Sequence, residues 1–257
     1  MQTVTLAERP DLAAALDRPE LNPGPEFVRH DDVAERLWGQ LETRFPEYQV
    51  MLLEEGRVVA RGASVPLCWE EPDVDLPDEG FDWALSQAVD DHEADRAPTV
   101  AASLLIAVVP DRRRQGLSTA VAEALRDNAA ARGLSALIVP LRPTLKHRYP
   151  LIPMGTYAGW AQGGGEAPFD PWLRVHWKAG ARILHTCERS RTVTGTLAEW
   201  EEWVRMELPS SGEYVIPGGL SPLVLDRPAG TGHYVEANVW ARHDIGPGAG
   251  TQTSDSR

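Results

Sequence analysis

The turn between residues 108 and 120 carries the groups best suited to chemistry in this chain. An apolar run, Leu104 to Val109, leads through the arginines at 112–114 into Gly116, and a helical pattern of apolar residues follows at once. A helix N-terminus presents unpaired backbone N–H groups and the positive end of the helix dipole, which favour a bound phosphate. Glycine permits close approach of a ligand, and the arginines add charged donors. The pattern predicts a strand, a phosphate-binding turn and a helix, with an ordinary surface turn as the alternative.

The residues Arg113-Arg114-Gln115-Gly116-Leu117-Ser118 resemble motif A of the GNAT superfamily of acyl-CoA transferases, Arg/Gln-x-x-Gly-x-Gly/Ala. The resemblance implies that amides of this turn, as far as Thr119, hold the pyrophosphate of acetyl-CoA or another acyl-CoA. It also implies that backbone groups of Val108 and Val109 align the pantetheine arm and the thioester. Ser118 departs from the usual Gly or Ala, but serine is small enough for the same close approach.

A histidine occupies the position from which a proton would be supplied. Many GNAT enzymes carry a tyrosine four residues before the glycine of a Gly-Phe pair, where it protonates the departing thiolate, and the matching residue here is His176, before Gly180. Histidine exchanges protons near neutral pH, so it is a competent general acid. His176 also shares a helical face with Trp172 and Trp177, and a buried, hydrogen-bonded imidazole is therefore the alternative.

The same histidine is similar to one in the GNAT-like decarboxylases and S-acyltransferases of polyketide loading modules, which act on malonyl-CoA with a histidine of this helix and a threonine near the fifth strand. Thr144 is the matching threonine, although after Pro143 it can equally cap a helix. This resemblance adds an acyl-carrier protein as a candidate partner. The basic residues that can pair a malonyl carboxylate or the coenzyme 3′-phosphate are Arg142, Lys146, Arg148 and, further along, Arg191.

The composition narrows the classes of function. The chain has 25 basic and 38 acidic residues, and its formal charge of −13 opposes binding to nucleic-acid phosphates. The two cysteines are isolated and the chain starts without a signal-peptide pattern, so no disulfide framework is indicated. No histidine spacing is typical of a zinc site, so no metal is indicated either. No segment reaches the roughly 18 apolar residues of a membrane span. We predict a cytoplasmic protein without metal, nucleic-acid or membrane partners.

The order of elements predicts an α/β fold: a GNAT-like mixed, mostly antiparallel sheet flanked by helices, with a central βαβ coenzyme A-binding unit. A helix over Asp31 to Phe45 precedes a hairpin over Tyr48 to Leu67, and the strand, turn and helix described above lead into a strand at Ala136 to Leu141. One domain is predicted over 26–242, with a flexible segment at 1–25, an insertion at 70–98, an extended part at 188–242 and a disordered tail at 243–257.

These observations favour an acyl-CoA-dependent acyltransferase, an N-acetyltransferase by its resemblance, that modifies a small-molecule amine or similar nucleophile. His176 and Thr144 are its candidate catalytic residues. Two alternatives remain open: a malonyl-CoA-type decarboxylase acting with a carrier thiol, and a non-catalytic sensor of acyl-CoA on the same scaffold.

Overall fold

The structure is a computed structural model, and it describes residues 1–246. The strands are β1 (Gln2–Thr5), β2 (Gln49–Glu54), β3 (Arg57–Leu67), β4 (Val100–Val108), β5 (Ala136–Leu141), β6 (Arg182–Thr196), β7 (Gly212–Tyr214), β8 (Leu223–Asp226) and β9 (Thr231–Asp244). The α-helices are α1 (Ala13–Leu16), α2 (Asp32–Leu37), α3 (Leu41–Arg44), α4 (Gly80–Glu93), α5 (Leu117–Ala131), α6 (Met154–Ala158), α7 (Pro171–Lys178) and α8 (Leu197–Val204). Short 3-10 turns join several of them.

The strands form one sheet in the order β1-β2-β3-β4-β5-β9-β8-β7, and β6 pairs with β9. The β4–β5 pair is parallel and every other pair is antiparallel. Helix α5 makes the crossover between the two parallel strands. The predicted fold class, a mixed and mostly antiparallel sheet around a βαβ unit, is therefore confirmed, as is the predicted β2–β3 hairpin.

The two parallel strands separate soon after they meet. Their ladder contains only the pairs Ala101–Leu137 and Ala102–Ile138, although β4 continues to Val108 and β5 to Leu141. Over the same length β4 stays paired with β3. The opening therefore leaves one edge of β4 without a strand neighbour in the middle of the sheet.

Helices α5 and α4 cover the sheet and bury its apolar side chains. A Cβ atom at Gly62 of β3 would lie 2.7 Å from the Val121 side chain of α5, so only glycine permits this approach of helix to strand. Helix α4, within the segment predicted to be an insertion, packs Ala84, Leu85 and Ala88 completely into the core. It contacts β3 and β6 and so forms a regular layer of the domain.

Both predicted flexible ends need correction where the structure describes them. Residues 1–25 were predicted to be loose, but β1 pairs with β2, and Leu6 and Leu21 are buried in the main core. The predicted tail begins inside β9, which extends to Asp244 and buries His243. Positions 247–257 of that tail lie outside the described residues.

The extended part after residue 188 builds a second, smaller core. Strand β6 continues to Thr196, and α8 packs Trp200 against Tyr234 of β9 and Phe27 from the N-terminal segment. A side chain at Gly232 would collide with the Trp200 ring at 2.6 Å. This region therefore completes the sheet beside the opening.

Candidate active site

A cavity of about 510 Å³ occupies the opening between β4 and β5. Its walls come from most parts of the chain: the N-terminal segment, α4, β4, the turn before α5, β5 with the loop after it, α7, β6 and β9. The lining residues are Pro23, Gly24, Val28, Phe81, Ser103, Leu104, Leu105, Ile106, Ala107, Val108, Arg112, Arg113, Arg114, Leu117, Ser118, Val139, Pro140, Leu141, Arg142, Thr144, Trp172, Arg191 and Asn238.

One end of the cavity is the turn that the sequence singled out, residues 110–119, called here the arginine turn. Gly116 has φ +80° and Arg114 φ +64°, both in the left-handed region, which turns the chain sharply into α5. The amide of Ala120 donates to the Gly116 carbonyl at 3.1 Å, so the helical hydrogen-bond pattern begins only there. The amides before Ala120 are those that a helix N-terminus leaves for a ligand.

The arginines of this turn are held loosely at the surface. Arg112 donates to Glu54 at 2.7 Å, and Arg113 donates to the carbonyl of Val108 at 3.3 Å. Arg114 makes no side-chain hydrogen bond within residues 1–246. Because they are exposed or only partly buried, these guanidinium groups can turn toward an incoming phosphate at little cost.

The structure brings most of the predicted coenzyme-binding residues together. Five of them line the cavity: Val108, Arg113, Arg114, Leu117 and Ser118. Gln115, Gly116 and Thr119 belong to the same turn without lining it. Val109 is placed differently from the expectation, since its amide donates to the Val59 carbonyl at 3.0 Å and its carbonyl accepts from Arg112. Backbone groups alternate along a strand, so Val108 faces the opening when Val109 faces β3.

The other end of the cavity is called here the acceptor wall, and consists of Phe81, Arg142, Thr144, Trp172, Arg191 and Asn238. Glu236 is completely buried behind this wall. It accepts two hydrogen bonds of 2.9 Å from the Arg142 guanidinium. It also accepts from Tyr234 (2.7 Å) and Asn238 (3.3 Å). Burial raises the pKa of Glu236, but Arg142 and Tyr234 outweigh that effect, and the pKa is lowered overall. Glu236 is therefore an ionised structural carboxylate.

A second buried carboxylate fixes Thr144 and α7 to each other. Asp170 accepts from the amides of Trp172 (2.8 Å) and Leu145 (2.8 Å), from Tyr157 Oη (2.7 Å) and, at longer distances, from Thr144. Thr144 caps no helix, because the next turn begins at Lys146 without a side-chain cap. Thr144 lines the cavity, and its hydroxyl donates to Asp170, which is the cap of α7.

His176 does not line the cavity. Its ring is buried against Trp172, which does line it, with ring centroids 4.5 Å apart and perpendicular planes. A hydrogen bond of 2.9 Å joins His176 Nδ1 to His243 Nε2, and His176 Nε2 has no partner among the described residues. Burial, with a smaller contribution from His243, lowers the pKa of His176 to about 3. The imidazole is therefore neutral at physiological pH.

Sequence reasoning missed Glu236 and Asp170. The signal for Asp170 was available, because aspartate before Pro171 is a typical start of a helix. Glu236 gave none, since a glutamate in a strand is ordinarily exposed. No group of acidic, histidine or cysteine residues within 1–246 has the arrangement of a metal site, and no helix in that range is long and apolar enough to cross a membrane.

Comparison with known proteins identifies one relative by sequence. No family model matches the chain. The arginine N-acetyltransferase avaD of Aspergillus versicolor is 33% identical over 271 residues, an alignment that covers 94% of this chain and 93% of the relative. This level of identity over nearly the whole length of both chains is sufficient to assign a common family.

Two solved structures share the fold. The GphF GNAT-like decarboxylase in complex with isobutyryl-CoA superposes with a TM-score of 0.59 at 17% identity, covering 95% of this chain and 99% of that one. The loading GNATL domain of CurA from Lyngbya majuscula gives a TM-score of 0.56, also at 17% identity, covering 95% of this chain and 96% of that one. At such identities the likeness concerns the fold alone.

Proposed function

Because this chain belongs to the GNAT superfamily and is an acyl-CoA-dependent N-acetyltransferase, we propose that it transfers an acetyl group from acetyl-CoA to the amine of a small molecule, and that arginine or a related amino acid is the acceptor. The observation that carries this proposal is the single cavity that joins the arginine turn to the acceptor wall. The two reactants would meet within it.

The donor half has the groups that an acyl-CoA requires. The free amides at the start of α5 and the three arginines beside them suit the pyrophosphate. The unpaired edge of β4 between the two parallel strands offers peptide groups to the amides of the pantetheine arm. Val108 lies where this edge reaches the turn, and its backbone would align the arm there, so that the thioester would lie further along the edge, toward the acceptor wall.

The acceptor half favours a small molecule. The cavity of about 510 Å³ is lined by Phe81, Trp172 and the N-terminal segment at Pro23 and Gly24. A volume of this order suits a metabolite-sized ligand. The relative named as an arginine N-acetyltransferase makes arginine the first acceptor to test.

In the proposed reaction the neutral amine attacks the thioester carbonyl carbon, a C–N bond forms, and the C–S bond breaks. The amine nitrogen loses one proton and the departing thiolate takes up one. The sequence proposed His176 as the proton donor, but its neutral imidazole lies outside the cavity lining, so Thr144, which lines the cavity, is the candidate that the geometry favours. Holding both reactants in one cavity supplies a large part of the acceleration.

The test is an acceptor screen of the purified protein with acetyl-CoA. The panel contains arginine, the other amino acids, simple amines and a sample without acceptor, and the readouts are free thiol and the mass of the acetylated product. We expect acceptor-dependent thiol release and an acetylated amine. A parallel sample holds malonyl-CoA without acceptor. If malonyl-CoA is converted to acetyl-CoA and the screen gives no acetylated amine, the decarboxylase alternative replaces the proposal. The cytoplasmic location stays a prediction.

A further inference from the structure

Arg191 stands in the acceptor wall without an anion to bind. It lies in β6 opposite Glu236 of β9 in the strand register, and it lines the cavity. Its Cζ atom is 3.2 Å from the centroid of the Phe81 ring, so the guanidinium lies over the face of that ring. No ion pair and no side-chain hydrogen bond of Arg191 exists within the described part of the chain.

Three acidic residues lie near Arg191, but none of them forms a hydrogen bond or a close ion pair with it among the described residues. Glu236 is bound by Arg142 and Tyr234. Oδ1 of Asp31 accepts the amides of Val33 and Ala34 at 3.0 and 2.8 Å, because Asp31 caps α2, and its Oδ2 is buried with no partner among the described residues. Burial and the adjacent Asp31 raise the pKa of Asp82, which is therefore protonated. Asp31 and Glu236 raise the pKa of Arg191 through their charge, but none of the three carboxyl groups, all within residues 1–246, lies within 4 Å of its guanidinium.

An arginine in this position is costly unless a ligand pairs with it. Burial lowers the pKa of Arg191, and the nearby charges of Asp31 and Glu236 offset this only in part, so its charge is poorly solvated. The lining within residues 1–246 includes five arginines and no acidic side chain. The guanidinium is planar, and stacking on an aromatic ring leaves the N–H groups at its edge free. Two of these N–H groups form a fork that matches the two oxygens of a carboxylate.

We propose that Arg191 binds the carboxylate of the acceptor, so that the substrate class is amino acids with a free carboxylate and not simple amines. This inference rests on the proposed function. The carboxylate takes no part in bond making. Its attachment to Arg191 places the amine of the same molecule toward the opening between β4 and β5, where the thioester is expected.

The test compares arginine with argininamide, which keeps the amine and the guanidinium but has a neutral amide in place of the carboxylate. If arginine gives no turnover in the screen, the free acid and the amide of an amino acid that does give turnover are compared instead. We expect the wild-type protein to prefer the free acid by about 100-fold in kcat/KM, the range of a charge-assisted bidentate hydrogen bond. In Arg191→Gln the value for the acid falls by about that factor, and the value for the amide stays within about threefold.

Two further variants separate binding from a structural role. Arg189→Gln changes an arginine on the same strand that is exposed and paired with Glu79, and we expect it to leave the preference unchanged. Arg191→Lys keeps the charge without the fork and should recover part of the preference. Thermal unfolding of Arg191→Gln and Arg189→Gln checks that both variants are folded.

Three results would overturn the assignment. Equal use of acid and amide by the wild-type protein would remove it while leaving acetyl transfer intact, and so would equal losses for both acceptors in Arg191→Gln. Decarboxylation of malonyl-CoA that depends on Arg191, with no discrimination between acceptors, would assign the residue to the donor instead. Absence of any acetylated amine would remove the proposed function and this inference together.

Discussion

The arginine turn and the acceptor wall build the two ends of one cavity in opposite ways. The turn is ten consecutive residues whose binding groups are mainly backbone amides, with exposed arginines around them. The wall gathers side chains from α4, the loop after β5, α7, β6 and β9, and rests on completely buried charges. A change in the turn should therefore affect ligand binding more than stability, whereas a change behind the wall should affect the fold most.

The largest effect is expected for Glu236→Ala. The substitution leaves the Arg142 guanidinium partly buried without its partner, and removing one member of a buried pair costs about 3–5 kcal/mol of unfolding free energy. Denaturant unfolding of the whole chain measures this loss of unfolding free energy. The matched control is Glu54→Ala, which breaks the exposed pair with Arg112 and should have a much smaller effect. Equal losses in the two variants would contradict the contrast between buried wall and exposed turn.

Gly116→Val tests the arginine turn with a control on the same helix. Gly116 and Gly133 precede and follow α5, and both have left-handed φ, +80° and +75°, with open space around a Cβ. Valine should therefore cost a similar amount of stability at each, about 1–2 kcal/mol. Only at Gly116 does it also crowd the free amides, so we expect affinity for acetyl-CoA to fall about 100-fold, equivalent to about 2.7 kcal/mol.

Isothermal titration with acetyl-CoA compares the two valine variants, and thermal unfolding checks that their strain is alike. Weakened binding in Gly133→Val by the same factor would mean that the helix as a whole, and not its N-terminus, determines the affinity. Retained binding in Gly116→Val would remove the turn from the coenzyme site.

The buried histidine pair gives a pH dependence of stability. The pKa of His176 is lowered to about 3 in the folded protein and is ordinary, near 6.5, in the unfolded chain. Between these values the unfolded state binds a proton that the folded state does not, so stability falls as the pH is lowered, by up to about 1.4 kcal/mol per pH unit. His176→Phe should remove this part of the slope between pH 6.5 and 5, as measured by urea unfolding at several pH values.

The same variant tests the predicted proton donor. If His176 protonates the thiolate, kcat at neutral pH falls in His176→Phe while KM for acetyl-CoA is unchanged. An unchanged kcat together with the altered pH slope would restrict His176 to packing against Trp172 and His243.

The fold and the arginine turn could be predicted from sequence because their signals are local. The hairpin at Glu55–Arg57, the strand before Val109 and the helix start after Gly116 each lie within a few residues of the pattern that indicates them. The N-terminal segment was misjudged because an edge strand with prolines after it resembles a loose tail, and the pairing that orders it comes from β2.

The acceptor wall could not be predicted in the same way. In β9 the apolar Val235 is 40% exposed and the neighbouring Glu236 is completely buried, the reverse of what residue type suggests. The explanation is Arg142, 94 residues earlier in the chain, whose guanidinium reaches Glu236 only once β5 and β9 are paired. Alternation along a strand predicts two faces but not which of them meets a buried charge.

The smallest effect that still separates the two ends of the cavity concerns Arg114. It is an exposed arginine in the left-handed region, φ +64°, at the cavity rim. In Arg114→Gly the relief of backbone strain opposes the greater freedom of the unfolded chain, so stability should hardly change. Loss of one phosphate-directed charge should weaken acetyl-CoA binding about three- to tenfold at low salt, and less at high salt because screening shortens the range of the interaction. Titrations at two ionic strengths measure this difference. A loss of affinity that does not depend on salt would indicate that Arg114 shapes the turn and does not attract phosphate.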